Sequence, residues 1–115
     1  MRNIKFKAKD ISDKWVYGYY HVISDPDMGE YYYYIMNDST IDCAVDPLTV
    51  CEFTGLTDSN EEDIYEHDFL DIDGLLYEVV WIDGGFKLKS LLHDDYYYPF
   101  NRNRIRDSII VDNRF

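Results

Sequence analysis

A chain of 115 residues has the length of one ordinary domain, and its 46% hydrophobic and 17% aromatic residues can form a buried core. The formal net charge of −12 opposes binding to a nucleic-acid backbone or to an anionic membrane, because both require lysine and arginine. No run of about 18 apolar residues is present, and no apolar stretch follows the basic residues near Met1, so neither a transmembrane helix nor a signal peptide is predicted. Cys43 and Cys51 show no paired spacing, which favours reduced thiols in a cytoplasm.

The first half of the chain is predicted to form antiparallel strands. Apolar and polar residues alternate over residues 4–8, the period of a strand with one buried face. Residues 15–23 and 31–36 are β-branched or aromatic almost throughout, and the four consecutive tyrosines suit a pleated strand. Turn-forming residues separate these segments, and shorter extended pieces follow at residues 41–45 and 48–53.

The strongest structural pattern lies between Leu70 and Lys89. Asp73-Gly74 and Asp83-Gly84 are tight-turn sequences, and apolar residues alternate between them. We therefore predict a three-stranded meander over this range. The end of the chain is ambiguous, because residues 105–111 fit either a last strand or one helical turn followed by a strand.

Three stretches of the chain, in the same order, resemble the YopX family of phage and prophage proteins. The first is residues 2–10 followed by Trp15-Val16-Tyr17-Gly18-Tyr19. The second and most specific runs from Val45-Asp46-Pro47 through Glu52-Phe53-Thr54-Gly55-Leu56-Thr57-Asp58 to Ile64-Tyr65-Glu66-His67-Asp68. The third is Tyr77-Glu78-Val79-Val80-Trp81 with Gly84-Gly85-Phe86.

The chain departs from the family pattern at two glycine positions and at its end. Glu61 follows Asn60 where the family usually has an Asn-Gly turn, and His67 stands where the family usually has glycine. The last residues, 110–115, differ from the family's usual Asn-Ile-Tyr-Glu-Asn-Pro-like tail. The resemblance also suggests that Glu66 and Asp68 prepare the turn into the next strand, with Asp68 accepting backbone N–H bonds.

The resemblance implies a tailed-phage or prophage origin in a low-GC Gram-positive bacterium, the cytoplasm of the bacterial host as location, and no particular activity. Together with the strand patterns, it predicts a mainly β protein with little helix and a single domain over residues 1–115. We expect an N-terminal antiparallel sheet, about residues 1–55, to pack on a small SH3-like barrel, about residues 64–111.

Clusters that could carry catalysis or bind a metal are weak. The acidic residues near the middle of the chain lack the alternating spacing and fixed glycine of a calcium loop, so we interpret them as a solvated loop: Glu61, Glu62, Asp63, Glu66 and Asp68. The cysteines and histidines lack zinc-ligand spacing, and neither a nucleophile motif nor a glycine-rich phosphate loop is present. We therefore predict no enzyme activity, no cofactor and no metal site.

The tyrosines are the candidate partner-binding residues: Tyr31, Tyr32, Tyr33, Tyr34, Tyr96, Tyr97 and Tyr98. Because side chains alternate along a strand, residues 31–34 place two rings on each face, and we expect one pair in the core and one pair exposed. Exposed tyrosine is enriched where proteins meet proteins. The alternative that all these rings pack in the core stays open. Single-stranded nucleic acid is not expected, because only Arg102, Arg104 and Arg106 form a basic cluster.

These features predict a non-catalytic phage or prophage accessory protein that binds a host or phage protein. A basic partner would suit the acidic charge, and self-association into a homo-oligomer is left open. The alternative function is an acidic DNA mimic, whose carboxylates imitate phosphates and inhibit a nucleic-acid-binding defence protein of the host. Neither nucleic acid nor a membrane is expected as a partner.

Overall fold

A computed structural model describes residues 5–37, 42–93 and 96–115. Within those ranges the chain forms eleven strands, one short helix and one turn of 3-10 helix, so it is mainly β, as predicted. It divides into two compact units, Met1–Glu52 and Phe53–Phe115. No helix in the described part of the chain is long and apolar enough to cross a membrane.

The first unit is an antiparallel sheet with the strand order β4-β3-β2-β1. Its strands are β1 (Phe6–Lys9), β2 (Trp15–Asp25), β3 (Glu30–Met36) and β4 (Asp42–Ala44). A 3-10 turn at Pro47–Thr49 follows, and the side chain of Asp46 caps it by accepting a hydrogen bond from the backbone N–H of Leu48. The next strand, β5 (Cys51–Thr57), pairs through its first two residues with β1.

The core of the first unit lies on one face of this sheet. Ala8, Ile35 and Val45 are buried, and partly buried apolar side chains pack against them: Phe6, Val16, Tyr20, Tyr33 and Val50. Gly18 lies on the same face, where a Cβ atom would come within 2.2 Å of the backbone carbonyl oxygen of Met36. Glycine at this position therefore permits the close approach of β2 and β3.

The second unit contains a five-stranded antiparallel sheet with the order β10-β9-β8-β7-β11. After β6 (Asp63–Tyr65), which pairs with β5, the elements are β7 (Asp68–Ile72), β8 (Leu75–Ile82), β9 (Gly85–Ser90), β10 (Tyr97–Pro99), α1 (Arg102–Ile105) and β11 (Ile109–Asn113). The predicted meander is confirmed as β7, β8 and β9. At the chain end, the helical turn followed by a strand is the alternative that the structure adopts.

The two turns of the meander have the geometry that their sequences predict. Asp73 and Asp83 have φ values of 54° and 53°, and the glycines that follow them have φ values of 84° and 81°. Positive φ at both central residues is the requirement of a type I′ turn, which Asp-Gly satisfies at low steric cost. Local turn chemistry therefore sets the register of these three strands.

The sheet of the second unit is open. It ends on β10 and β11, and in the described ranges neither strand pairs with the other, so the predicted barrel is not closed. The core of this unit is formed by buried apolar residues from the meander, β6 and α1: Ile64, Leu70, Ile72, Tyr77, Val79, Leu88 and Ile105. Both sheets are antiparallel in the described part of the chain.

Candidate functional site

The hairpin formed by β2 and β3 carries four of the predicted contact residues. Its ladder runs from the pair Tyr19 and Met36 to the pair Asp25 and Glu30, with seven residues of each strand in register. Both strands consist mainly of aromatic and β-branched residues, which pack well on a pleated surface. The hairpin is therefore a long, regular ribbon.

The loop at the tip of the hairpin is ordered by Asp25. Its carboxylate oxygen Oδ1 accepts hydrogen bonds from the backbone N–H groups of Asp27 and Met28, at 3.1 and 3.3 Å. Its backbone carbonyl accepts a third bond, at 2.9 Å, from the N–H of Gly29. Gly29 has a φ of 66°, which glycine adopts without strain. The tip is thus held in one conformation by local bonds.

The register places a set of aromatic and apolar side chains on one face of the hairpin, which we call the aromatic face: Tyr17, Tyr19, His21, Ile23, Tyr32, Tyr34 and Met36. Five of these side chains are exposed by 41 to 57% of their surface, namely Tyr17, Tyr19, Ile23, Tyr32 and Met36. The remaining two stack on each other, with the rings of His21 and Tyr34 centred 5.6 Å apart. A continuous strip of rings therefore faces outward along β2 and β3.

Burial of the four consecutive tyrosines depends on their position along β3. Tyr33 and Tyr34 are half-buried, whereas Tyr31 and Tyr32, which point to opposite faces, are 63% and 41% exposed. The expected division into one pair of rings in the core and one exposed pair is therefore wrong. The reason is that the core ends at Tyr33, and the hairpin continues beyond it with both faces open.

The hairpin has a strongly acidic tip. Residues 15–36 contain no lysine or arginine, and their carboxylates are Asp25, Asp27 and Glu30. The hydroxyl of Tyr32 donates a hydrogen bond of 2.6 Å to Oε2 of Glu30. This bond is the main cause that raises the pKa of Tyr32, because it stabilises the protonated phenol beside a carboxylate. Negative charge therefore lies next to the exposed rings.

The other predicted tyrosines belong to the second unit. Tyr98 on β10 is half-buried, with its ring centred 5.7 Å from that of Tyr77 in an edge-to-face arrangement. Tyr96 and Tyr97 are 58% and 44% exposed. Of the seven predicted contact residues, the structure thus exposes Tyr31, Tyr32, Tyr96 and Tyr97 and half-buries Tyr33, Tyr34 and Tyr98.

A buried charge cluster in the second unit was not found by sequence reasoning. Glu78 on β8 is 2% exposed, and Arg114 binds it through two guanidinium nitrogens, with Nε at 2.8 Å from Oε2. Nδ1 of His67 lies 3.0 Å from the same carboxylate oxygen. Burial alone would raise the pKa of Glu78, but the hydrogen bonds from Arg114 and His67 outweigh it and lower the pKa. The only sequence signal was a glutamate in an otherwise apolar strand.

Hydrogen bonds beside this cluster join the end of β11 to the start of β7. Asp68 is 1% exposed, and Oδ2 of its carboxylate accepts a 2.8 Å bond from the backbone N–H of Tyr65, so the predicted role of Asp68 is confirmed. Oδ1 accepts a second bond, also 2.8 Å, from the side-chain amide of Asn113. The ring of Phe115 packs edge-on against His67 at 5.2 Å. These groups are engaged with one another, which indicates a structural role.

Glu61 and His67 are two residues other than glycine that have a left-handed backbone conformation. Glu61 has a φ of 62° and His67 has a φ of 70°. A side chain with a Cβ atom adopts this region at a cost of roughly 1–2 kcal/mol. Glycine would adopt this conformation at both positions at a lower cost.

The potential metal ligands are dispersed. In the part of the chain that the structure describes, no group of three or more histidine, cysteine or acidic side chains is placed to hold a metal ion. Cys43 and Cys51 are not joined in a disulfide, and the buried thiol of Cys51 donates to the backbone carbonyl of Thr49 at 3.3 Å.

Comparison with known proteins identifies the family. A family model described as YopX protein matches residues 3–110, which is nearly the whole chain. No curated protein matches this sequence. The matched range includes the strand β2 with its Trp15-Val16-Tyr17-Gly18-Tyr19 motif and the Ile64-Tyr65-Glu66-His67-Asp68 block that leads into β7. This chain therefore belongs to the YopX family.

Proposed function

We propose that this chain is a non-catalytic accessory protein of a phage or prophage that acts by binding another protein through the aromatic face. The observation that carries the proposal is the strip of half-exposed rings on β2 and β3, on the face of the sheet opposite the core. Contiguous exposed apolar surface is uncommon on monomeric proteins and usually marks an interaction site. A phage origin and a bacterial cytoplasm are what the family resemblance supplies.

The partner that suits this surface is a basic protein of the host or the phage. Tyrosine gives a large contact area at a small cost in conformational entropy, and it is enriched among residues that dominate binding energy. The carboxylates of Asp25, Asp27 and Glu30 border the exposed rings, and no lysine or arginine lies within residues 15–36. A basic partner would be attracted by this charge, and its association rate would fall with increasing salt.

The SH3-like character of the second unit is also part of the proposal. Strands β7, β8, β9 and β10 are neighbours in sequence order, and β11 returns to pair with β7 after the short helix. This order supports an SH3-like arrangement without a closed barrel. A fold of this kind hosts many unrelated functions, so it adds no argument for a particular partner.

The test begins with capture of partners from phage-infected host cells, followed by affinity measurement with the purified partner. The double variant Tyr19→Ala/Tyr32→Ala removes two exposed rings of the aromatic face. We expect its affinity to fall about 100-fold or more, since loss of an anchoring aromatic side chain often costs about 2 kcal/mol. The matched control is Tyr96→Ala/Tyr97→Ala, which removes two comparably exposed rings from the second unit and should bind as the parent does.

The result also separates this function from DNA mimicry. A DNA mimic should lose binding when carboxylates are neutralised and should compete with nucleic acid for its target, whereas a partner of the aromatic face should ignore competitor DNA. Unchanged affinity of Tyr19→Ala/Tyr32→Ala would refute the aromatic face as the contact surface. Loss of binding in the Tyr96→Ala/Tyr97→Ala control alone would move the contact to β10.

A further inference from the structure

The second unit has a surface pocket of about 350 Å³ between the end of β5 and the helix α1. Its lining includes two arginines, two apolar side chains and two neutral polar side chains: Arg102, Arg106, Leu56, Ile105, Thr57 and Asn103. The volume is at the lower end of the range for small-molecule sites, roughly 300–1,000 Å³. It therefore suits one or two side chains of a protein loop.

The helix α1 concentrates positive charge at this pocket. Arg102, Arg104 and Arg106 lie within five residues of a chain whose net charge is −12. Residues four apart lie on the same side of a helical turn, so Arg102 and Arg106 both border the pocket, while the guanidinium of Arg104 lies 5.2 Å from the ring centre of Tyr98. Ile105 is buried and contributes an apolar wall.

One carboxylate, that of Asp58, also lines the pocket. Its oxygen Oδ1 accepts bonds from the N–H groups of Asn60 and Glu62 at 2.8 and 3.0 Å, and Oδ2 accepts a 3.0 Å bond from the N–H of Ile110. Asp58 is 6% exposed. Its negative charge is therefore stabilised by three backbone donors and is largely buried, so the exposed charged residues among those that line the pocket are the two arginines.

The chemistry of the pocket defines its ligand. Guanidinium groups bind carboxylates through paired hydrogen bonds, and this geometry is specific to planar anions. Leu56 and Ile105 add apolar surface, which favours an uncharged aliphatic group next to the carboxylates. The pocket thus fits a short segment that presents acidic side chains on either side of an apolar one.

The tip of the β2–β3 hairpin presents such a segment. Asp27 and Glu30 are exposed, and Met28 between them is 66% exposed. The bonds to Asp25 hold the loop in a single conformation, so little entropy is lost when it docks. Methionine is also flexible enough to fill a pocket of irregular shape.

We propose that the arginine-lined pocket binds the acidic hairpin tip of a second copy of this chain. Each copy carries both surfaces, so the contact allows a reciprocal two-fold dimer, a larger ring or an open chain of copies. A loop in a pocket of this size buries much less than the roughly 1,600 Å² of a standard interface, and its attraction is largely electrostatic. The association should therefore be weak and should decrease with salt. The tip-to-pocket contact does not use the aromatic face, so its test is independent of the test of the proposed function.

Analytical ultracentrifugation of the full chain over a range of concentrations tests this contact. The wild type should associate reversibly at low salt. The tip variant Asp27→Lys/Glu30→Lys and the pocket variant Arg102→Glu/Arg106→Glu should each remain monomeric, because like charges then face each other in every contact between identical copies. An equimolar mixture of the two variants should associate again, because each contact between unlike copies joins opposite charges.

Three controls accompany the mixture. Circular dichroism and thermal unfolding establish that both variants are folded. Lys14→Glu changes the net charge in the same direction as each arginine substitution, but on an exposed turn, and should associate as the wild type does. Tyr19→Ala, which removes a ring of the aromatic face at the end of the ladder away from the tip, should also associate normally. A wild type that stays monomeric at its solubility limit would overturn the proposal, and so would two folded variants whose mixture fails to regain association.

Discussion

Replacing Gly18 by alanine probes the contact that holds the β2–β3 hairpin, and with it the aromatic face, against the core. A Cβ at this position would lie 2.2 Å from the backbone carbonyl oxygen of Met36 and 3.2 Å from Cγ2 of Ile35. Real Cβ atoms essentially never approach other heavy atoms within 3.0 Å, so the strands must separate by at least 0.8 Å. The obstacle is strand backbone, which cannot move aside by a rotamer change.

The energetic cost follows from this displacement. It would weaken about two ladder hydrogen bonds, each with a net value of about 1 kcal/mol, and overpacking against Ile35 adds about 1 kcal/mol. Alanine also has less conformational entropy than glycine in the unfolded chain, which offsets about 0.5 kcal/mol of the destabilisation. We therefore expect Gly18→Ala to destabilise the protein by about 2.5 kcal/mol, which corresponds to a decrease in Tm of about 10 °C for a chain of this size.

Thermal and urea unfolding followed by circular dichroism measures the effect. Gly85→Ala is the control, because a Cβ atom on Gly85 would meet no atom within 4 Å and its φ, unlike the 155° of Gly18, lies outside the positive range that strains an alanine. We expect this control to change stability by less than about 0.5 kcal/mol. Equal Tm values for Gly18→Ala and Gly85→Ala would refute the steric argument.

The left-handed residues and the buried charge cluster give two further predictions. Glu61→Gly should stabilise the protein by about 1 kcal/mol in urea unfolding, because glycine adopts the left-handed conformation without strain. His67→Gly should show no net stabilisation, because it also removes the hydrogen bond to Glu78. A destabilised Glu61→Gly variant would contradict this. Arg114→Ala should lower the free energy of unfolding by about 2 kcal/mol at pH 7 and by less at pH 4. Because the pKa of Glu78 is lowered in the folded protein, its ion pair stabilises the fold above the pKa of an unfolded glutamate, and this stabilisation is lost on acidification. An equal loss of stability at both pH values would refute this argument.

The parts of the fold that sequence predicts well are those fixed by local chemistry. The Asp73-Gly74 and Asp83-Gly84 turns define both hairpins of the meander, because the φ values that each turn requires are available to the residues at that turn. The bond from the backbone N–H of Tyr65 to the carboxylate of Asp68 is equally local, since the two residues are three positions apart. Both features were predicted correctly.

The features that sequence reasoning missed depend on distant residues. The bond between Glu78 and Arg114 joins positions 36 residues apart, and no periodicity in either segment indicates it. The exposure of Tyr31 and Tyr32 likewise depends on where the core of the first unit ends, which is a property of β1 and β4 as much as of β3. Alternation predicts the face of each ring correctly, but it contains no information about the length of hairpin that the core covers.

The pairing of β7 with β11 has a consequence for the order of events in folding. The meander closes through two-residue turns, whereas the bond from Asn113 to Asp68 spans 45 residues. Loop-closure entropy must be overcome before such a distant contact contributes, and topologies with high contact order fold slowly for this reason. We therefore expect the meander to form before β11 pairs with β7, and the carboxylates of Asp68 and Glu78 to stay hydrated until β11 covers them.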